Sequence, residues 1–140
     1  GVPVQREIVL AAALLHDIAK GRADHAAAGA RLLARLGCRR IAPVVAQHND
    51  LAGGSGPRPD AAAVVYLADK LVAGDRIVTF EQRFAPAGEK YAGAPEILAA
   101  VQRRRRQAEA IRRQIEEITG VKLEDILRGL FQSESAGGNL

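Results

Sequence analysis

Three segments of the chain place a histidine or an aspartate where helical spacing points it towards a core. Residues at i, i+3, i+4 and i+7 share one face of a helix, and by this count His48 extends the apolar stripe of its segment. Asp69 lies on the apolar stripe of a later segment, and His16 lies on that of an earlier one, with Asp17 beside it. The spacing therefore predicts two histidines and two aspartates directed inward from three helices.

Such residues are costly to bury unless they bind something. An isolated carboxylate survives in a core only when it is paired, hydrogen-bonded or bound to a cation. A single inward histidine is more often a hydrogen-bonded core residue, and a single inward aspartate is more often a cap or an ion-pair partner. Four together indicate a metal site. Mixed imidazole and carboxylate ligands suit iron, manganese, zinc or nickel. Magnesium is a further candidate ion, although it prefers sites made of oxygen ligands only.

The elements that must position these residues are predicted to be helices. Periodicity, caps and helix-ending glycines favour an all-α bundle of about six to seven helices, without an internal repeat or a convincing strand. The segments 52–59 and 86–95 are expected to be a surface loop and a connector. The predicted helices are Val4–Lys20, His25–Leu36, a short one from Arg39 or Arg40 to His48, one capped by Asp60 and ending at Gly74, Arg76–Phe84, Pro95–Thr119 and Leu123–Phe131.

Composition sets outer limits on the kind of protein. The chain has 140 residues, of which 48% are hydrophobic and 26% charged, so we assign residues 1–131 to one domain and expect 132–140 to be a flexible tail. The single Cys38 excludes an internal disulfide and a thiolate-rich zinc site. No apolar run approaches the roughly 20 residues that cross a bilayer, and no signal peptide is evident, so we expect a cytoplasmic protein with no membrane contact.

The net charge of +4 would suit an anionic partner, and four consecutive arginines occupy Arg103–Arg106. Successive helix positions fan out around the axis instead of lining one face, and no interleaved aromatic residues offer base stacking. We therefore interpret this run as a solvated helix surface and do not expect nucleic acid as a partner. Binding that falls steeply with salt would reverse this interpretation.

Four stretches resemble one known family. The sequences LLHDIAK at Leu14–Lys20 and YLADKL at Tyr66–Leu71 are similar to the paired motifs of HD-domain phosphohydrolases. HAAAGARLL, which begins at His25, and IAPVVAQHND, which contains His48, resemble the two additional histidine segments of the two-metal branch. The resemblance covers about Val4 to Arg83 and implies an HD-type helical bundle.

The resemblance also implies a set of functional residues. The metal ligands would be His16, Asp17, His25, His48 and Asp69. Asp17 would bridge two ions, with His16 and Asp69 on one and His25 and His48 on the other. From charge and helix position rather than from the resemblance, we expect Lys20 to act with Asp17 in catalysis and to contact substrate phosphate. Lys70 and Arg76 are weaker candidates for that contact, since each could equally be surface charge. Lys20 lies on the same helix face as His16. An equally good interpretation is that Lys20 is a solvated lysine that the helix dipole favours at a helix end.

The implied activity is hydrolysis of a phosphoester or phosphoanhydride in a phosphorylated small molecule, with a nucleotide expected, by water activated at one or two divalent metal ions. The family has a further histidine upstream of its His-Asp pair, and none precedes His16 here. We therefore expect a fragment of a longer protein. Domains of the family it resembles can accompany a nucleotidyltransferase on one polypeptide, so the resemblance implies an N-terminal enzyme domain of that kind as a partner. The alternative is a non-catalytic HD module that binds a nucleotide or metal and regulates an attached enzyme.

Overall fold

The fold is a bundle of helices with one small hairpin. A computed structural model describes residues 3–53 and 56–136, with side chains through residue 132. Within those residues the mostly helical prediction is confirmed, while the prediction that there is no strand is wrong. The elements are α1 Arg6–Leu15, α2 His25–Arg35, α3 Ala42–Ala46, α4 Ala61–Lys70, β1 Val72–Ala73, β2 Arg76–Ile77, α5 Phe80–Phe84, α6 Ala87–Lys90, α7 Pro95–Thr119 and α8 Leu123–Ala136.

Helix α4 lies at the centre of the core. It packs against α1, α3 and α7, while α2 packs against α3. The side chain of Tyr66 is fully buried, and its hydroxyl donates a hydrogen bond to the carbonyl of Arg104 at 3.0 Å. Burial raises the pKa of Tyr66, so the phenol remains a donor and ties α4 to α7. Asp69 lies near the end of α4, so its position is fixed by a helix that packs against three others.

Several helix boundaries follow from local chemistry. The Asp60 side chain accepts a hydrogen bond from the amide of Ala63 at 2.9 Å and caps α4, as the sequence predicts. Helix α7 has the predicted bounds, with Pro95 in its first turn and Gly120 at its end in the left-handed conformation, φ 69°. Helix α2 begins at His25 as predicted and ends one residue before the predicted end.

Helices α1 and α3 end earlier than predicted, and histidine side chains contribute to both endings. Helix α1 stops at Leu15 instead of Lys20, and α3 stops at Ala46 instead of His48. Nδ1 of His16 bonds to the carbonyl of residue 13, and Nδ1 of His48 bonds to that of residue 45, each at 2.7 Å. These ring nitrogens compete with main-chain amides for helix carbonyls, and the backbone continues in tight turns.

The region after α4 differs most from prediction, because the segment from Arg76 to Thr79 is not helical. Val72 pairs with Ile77 in an antiparallel hairpin, and Gly74 adopts φ 63° in its turn. The side chain of Thr79 then accepts a hydrogen bond from the amide of Gln82, and the side chain of Gln82 from the amide of Thr79, so helix α5 starts with a capping box. The hairpin reverses the chain and returns α5 towards α4.

Two further differences concern the second half of the chain. The expected connector contains α6, and α8 continues to Ala136, beyond the predicted end at Phe131. The first part of the segment predicted to be flexible is therefore helical, while residues 137–140 lie outside the described residues, as do 54 and 55 of the predicted loop. None of the helices in the described part of the chain is long and apolar enough to cross a membrane.

Candidate metal centre

The five predicted ligands come from four separate segments and line one cavity of about 490 Å³. Most lie at helix ends: His16 and Asp17 follow α1, His25 opens α2, His48 follows α3 by two residues, and Asp69 precedes the last residue of α4. A helix end can present a side chain to a cavity while the body of the helix stays in the core. The structure thus brings together the side chains that the apolar stripes direct inward.

Asp17 lies between the histidines. Its Oδ2 is 3.6 Å from Nε2 of His16, and its Oδ1 is 3.6 Å from Nε2 of His25 and 3.7 Å from Nε2 of His48. Oδ1 of Asp69 lies 3.4 Å from Nε2 of His16. The potential donor atoms of His16, Asp17 and His48 all lie within 4.8 Å of one another, a spacing that one metal ion can span.

The histidine rings are held in the tautomer that metal binding requires. Because Nδ1 of His16 and Nδ1 of His48 each donate to a main-chain carbonyl, Nε2 of each ring carries a lone pair directed into the cavity. His48 is almost wholly buried, and this burial lowers its pKa, so its ring is neutral at neutral pH. A neutral imidazole with its other nitrogen hydrogen-bonded is the usual form of a histidine ligand.

The contact between His25 and His48 also fits a cation. Their Nε2 atoms are 3.1 Å apart, and Nδ2 of Asn49 lies 3.0 Å from Nε2 of His25. Without an ion, a ring N–H of His25 can donate to Nε2 of His48, whereas with an ion bound both Nε2 lone pairs can face the ion. The donor set of three imidazole nitrogens and two carboxylates therefore fits a divalent transition ion.

Lys70 orients the ligands without lining the metal cavity. Its side chain is 4% exposed, and its ammonium donates to Oδ2 of Asp69 at 2.9 Å and to the carbonyl of His48 at 3.0 Å. Burial lowers the pKa of Lys70, against the attraction of Asp69. One lysine thus fixes the Asp69 carboxylate, leaves Oδ1 facing His16, and holds the turn that carries the His48 ring.

Lys20 lies at the opposite, open side of the cavity. Its side chain is 79% exposed, and its ammonium lies 3.2 Å from Oδ2 of Asp17. Burial raises the pKa of Asp17, but the hydrogen bond from Lys20 and the nearby positive charges outweigh this effect and hold that pKa below its ordinary value. Asp17 is therefore ionised at neutral pH, and Lys20 can reach an anion at the mouth of the cavity.

Two predicted phosphate contacts do not line the metal cavity and stay predictions. Lys70 has the buried position given above, and Arg76 is an exposed residue of β2 that is not among the residues lining the metal cavity. In turn, the sequence interpretation missed Asn49 and Arg83, which do line this cavity. Asn49 follows His48 directly and could have been suspected from that position. Arg83 had no such signal, because its place beside Asp69 depends on the unforeseen hairpin.

Comparison with protein-family models identifies the class. The model of the HD domain matches residues 1–74, more than half of the chain, and the chain therefore belongs to the HD domain family. The predicted family is confirmed, and its members are typically metal-dependent phosphohydrolases. A comparison with curated proteins gave no significant match, and neither did one with solved structures.

Proposed function

We propose that this HD domain hydrolyses a phosphoester or phosphoanhydride bond of a nucleotide, using divalent metal bound by His16, Asp17, His25, His48 and Asp69. The observation that carries this proposal is the convergence of three histidine Nε2 atoms and two carboxylates on one cavity, with Nδ1 of His16 and of His48 occupied by main-chain carbonyls. Such a donor set is costly to assemble in a fold unless a cation compensates it.

The arrangement of Asp17 favours two ions over one. Its Oδ2 is directed to His16, whereas its Oδ1 is directed to His25 and His48. A bridging carboxylate presents one oxygen to each ion, and Asp69, on the His16 side, would complete the first ligand set. The two-metal arrangement stays a prediction, since the His16, Asp17 and His48 group alone is compact enough for one ion.

The charged residues and the apolar wall of the cavity would then contribute to hydrolysis in different ways. A bound divalent metal supplies Lewis-acid chemistry that activates water and polarises phosphoryl oxygens. Lys20 and Arg83 line the same cavity and balance the negative charge of the phosphoryl group as it is attacked. The apolar wall, which includes Val65 and Ala68, lowers the local polarity and strengthens these charge interactions.

Replacement of one ligand tests the proposal. Asp69→Asn keeps the shape of the side chain but removes its charge. We expect turnover of bis(p-nitrophenyl) phosphate with Mn²⁺ to fall by at least the roughly 10- to 100-fold that is typical when a residue that only orients a metal ligand is replaced. The far-ultraviolet circular dichroism signal should be unchanged. Asp75→Asn is the matched control, because Asp75 is exposed in the hairpin turn and does not line the cavity.

Two results would argue against hydrolysis. If Asp69→Asn and Asp75→Asn had equal activity, the metal centre would not be the source of turnover. If the unaltered chain bound metal stoichiometrically and hydrolysed neither the diester nor any of a panel of nucleotides, the alternative of a non-catalytic metal- or nucleotide-binding module would replace the proposal.

A further inference from the structure

A second cavity of about 310 Å³ adjoins the metal cavity. The two share Asn49 and Arg83 as lining residues, so the second cavity opens beside the ligands Asp69 and His48. Helices α5, α6 and α7 form much of its wall. The side chains that matter for binding are those of Asn49, Lys70, Arg83, Lys90, Tyr91 and Arg104.

The charges that line this cavity have one sign. Four of its residues are cationic and none is a carboxylate. Two of the four cations are compensated from outside the cavity: Arg104 makes a two-point bond to Asp50, with both distances 2.7 Å, and Lys70 is bonded to Asp69 at 2.9 Å. Because each is paired with a carboxylate, these two cations add little net positive charge to the cavity.

The other two cations, Arg83 and Lys90, are available to an anion. Arg83 approaches a carboxylate only loosely, with Nη2 3.9 Å from Oδ2 of Asp69, an oxygen that already accepts from Lys70. Among the described residues no carboxylate lies within 4.0 Å of the Lys90 ammonium, which lies 5.2 Å from the centre of the Tyr91 ring. A concave site with two uncompensated cations attracts anions.

We propose that this second cavity, which we call the cationic subsite, binds a phosphoryl group distal to the bond that is hydrolysed. Arg83 lies at the junction and can contact both phosphoryl groups, while Lys90 contacts the distal one. The subsite would select substrates with linked phosphoryl groups, the phosphoanhydrides, over simple phosphomonoesters. The selection of substrate rests on the proposed function, whereas anion binding at Lys90 does not.

Binding of a linked diphosphate to the chelator-treated full chain tests the subsite apart from the metals. We expect pyrophosphate to bind more tightly than orthophosphate in titration calorimetry, because it reaches both Arg83 and Lys90. Lys90→Ala should weaken pyrophosphate binding about three- to tenfold, the effect of one lost charge-assisted contact. Lys90→Glu should weaken it further. Lys122→Ala is the matched control, since Lys122 is exposed on a distant part of the chain and pairs with Glu116.

The metal-loaded chain gives a second measurement. Lys90→Ala should raise KM for a nucleoside diphosphate and leave KM for bis(p-nitrophenyl) phosphate, which has a single phosphorus atom, unchanged. Equal pyrophosphate binding by the unaltered chain, Lys90→Ala and Lys90→Glu would overturn the subsite. Pyrophosphate binding that depends on Lys90, in a chain without any hydrolysis, would support the subsite and overturn the proposed function instead.

Discussion

His16 and His48 hold their rings in the same way. Each bonds Nδ1 to the carbonyl three residues earlier, at 2.7 Å, just where its helix ends. The ring is therefore fixed by its own segment before any long-range contact forms, and Nε2 is left for the cavity. Local chemistry of this kind sets the tautomer, while the fold sets which rings meet.

Lys70 is the residue that joins two of these ligand segments, since it bonds to both Asp69 and the carbonyl of His48. We predict that Lys70→Met, which keeps the apolar stem and removes the ammonium, weakens metal affinity about 10- to 100-fold, the usual range for residues that orient ligands. The cause is that the Asp69 carboxylate and the His48 turn lose their common donor. Competition with a chromophoric chelator measures the affinity.

Thermal unfolding of the metal-free protein separates orientation from folding. Removal of one partner of a buried ion pair also destabilises a fold, so Tm should fall in Lys70→Met even without metal. Lys70→Arg, which restores a donor, should recover part of the metal affinity. An unchanged metal affinity in Lys70→Met would refute a positioning role for this lysine.

The sequence predicts which ligands point inward but not how they are supported. His48 and Asp69 could be placed on the cavity side because apolar neighbours three, four and seven residues away define a face. Lys70 lies directly after Asp69, and adjacency on a helix does not reveal that its long side chain turns back into the core.

At the scale of elements, Gly29 controls how closely α2 approaches its neighbours. A Cβ atom at this position would lie 3.2 Å from Cγ2 of Ile18 and 3.6 Å from Cγ1 of Val45. The absence of a side chain therefore lets α2, and with it His25, pack tightly against the turn after α1 and against α3. This close contact sets the distance between His25 and the other ligands.

We predict that Gly29→Val separates these elements. Overpacking of this kind costs about 1–3 kcal/mol of unfolding free energy, and the displacement of His25 should also weaken metal binding. Denaturant unfolding and metal titration measure the two effects. Ala27→Val is the control, because Ala27 is an exposed residue of the same helix. If Gly29→Val and Ala27→Val behaved alike, close packing at Gly29 would have no part in the site.

Elements with strong end signals could be predicted, and elements set by long-range contacts could not. Pro95 and Gly120 mark the two ends of α7, and Asp60 caps the start of α4. These helix boundaries are therefore determined by residues at the boundaries themselves. The hairpin at Val72–Ile77 has strands of two residues, which are too short to show an alternating pattern. Apolar residues such as Val72 also extend the stripe of α4 past the end of that helix. The predicted end of α1, at Lys20, was also too late, because the apolar spacing continues past the observed end at Leu15.

At the scale of the whole molecule, the bodies of the helices form the core and their ends carry the candidate metal ligands. Helix α4 and its partners α1, α3 and α7 form the core, while the ends of α1, α2, α3 and α4 meet at one cavity. Helices α5 and α6 then cover the side of this cavity that continues into the cationic subsite. The family motifs lie in the first half of the chain, and the second half shapes what can bind beside them.

Anomalous diffraction from a zinc-soaked crystal tests the central claim, that the five residues form a metal centre, most directly. We predict anomalous density in the cavity, within about 2.0–2.3 Å of ligand atoms from His16, Asp17 and Asp69, and a second peak at the same distances from Asp17, His25 and His48. A single peak would keep the metal centre and reject the two-metal arrangement. Zinc density confined to the protein surface, with none in this cavity, would contradict the claim itself.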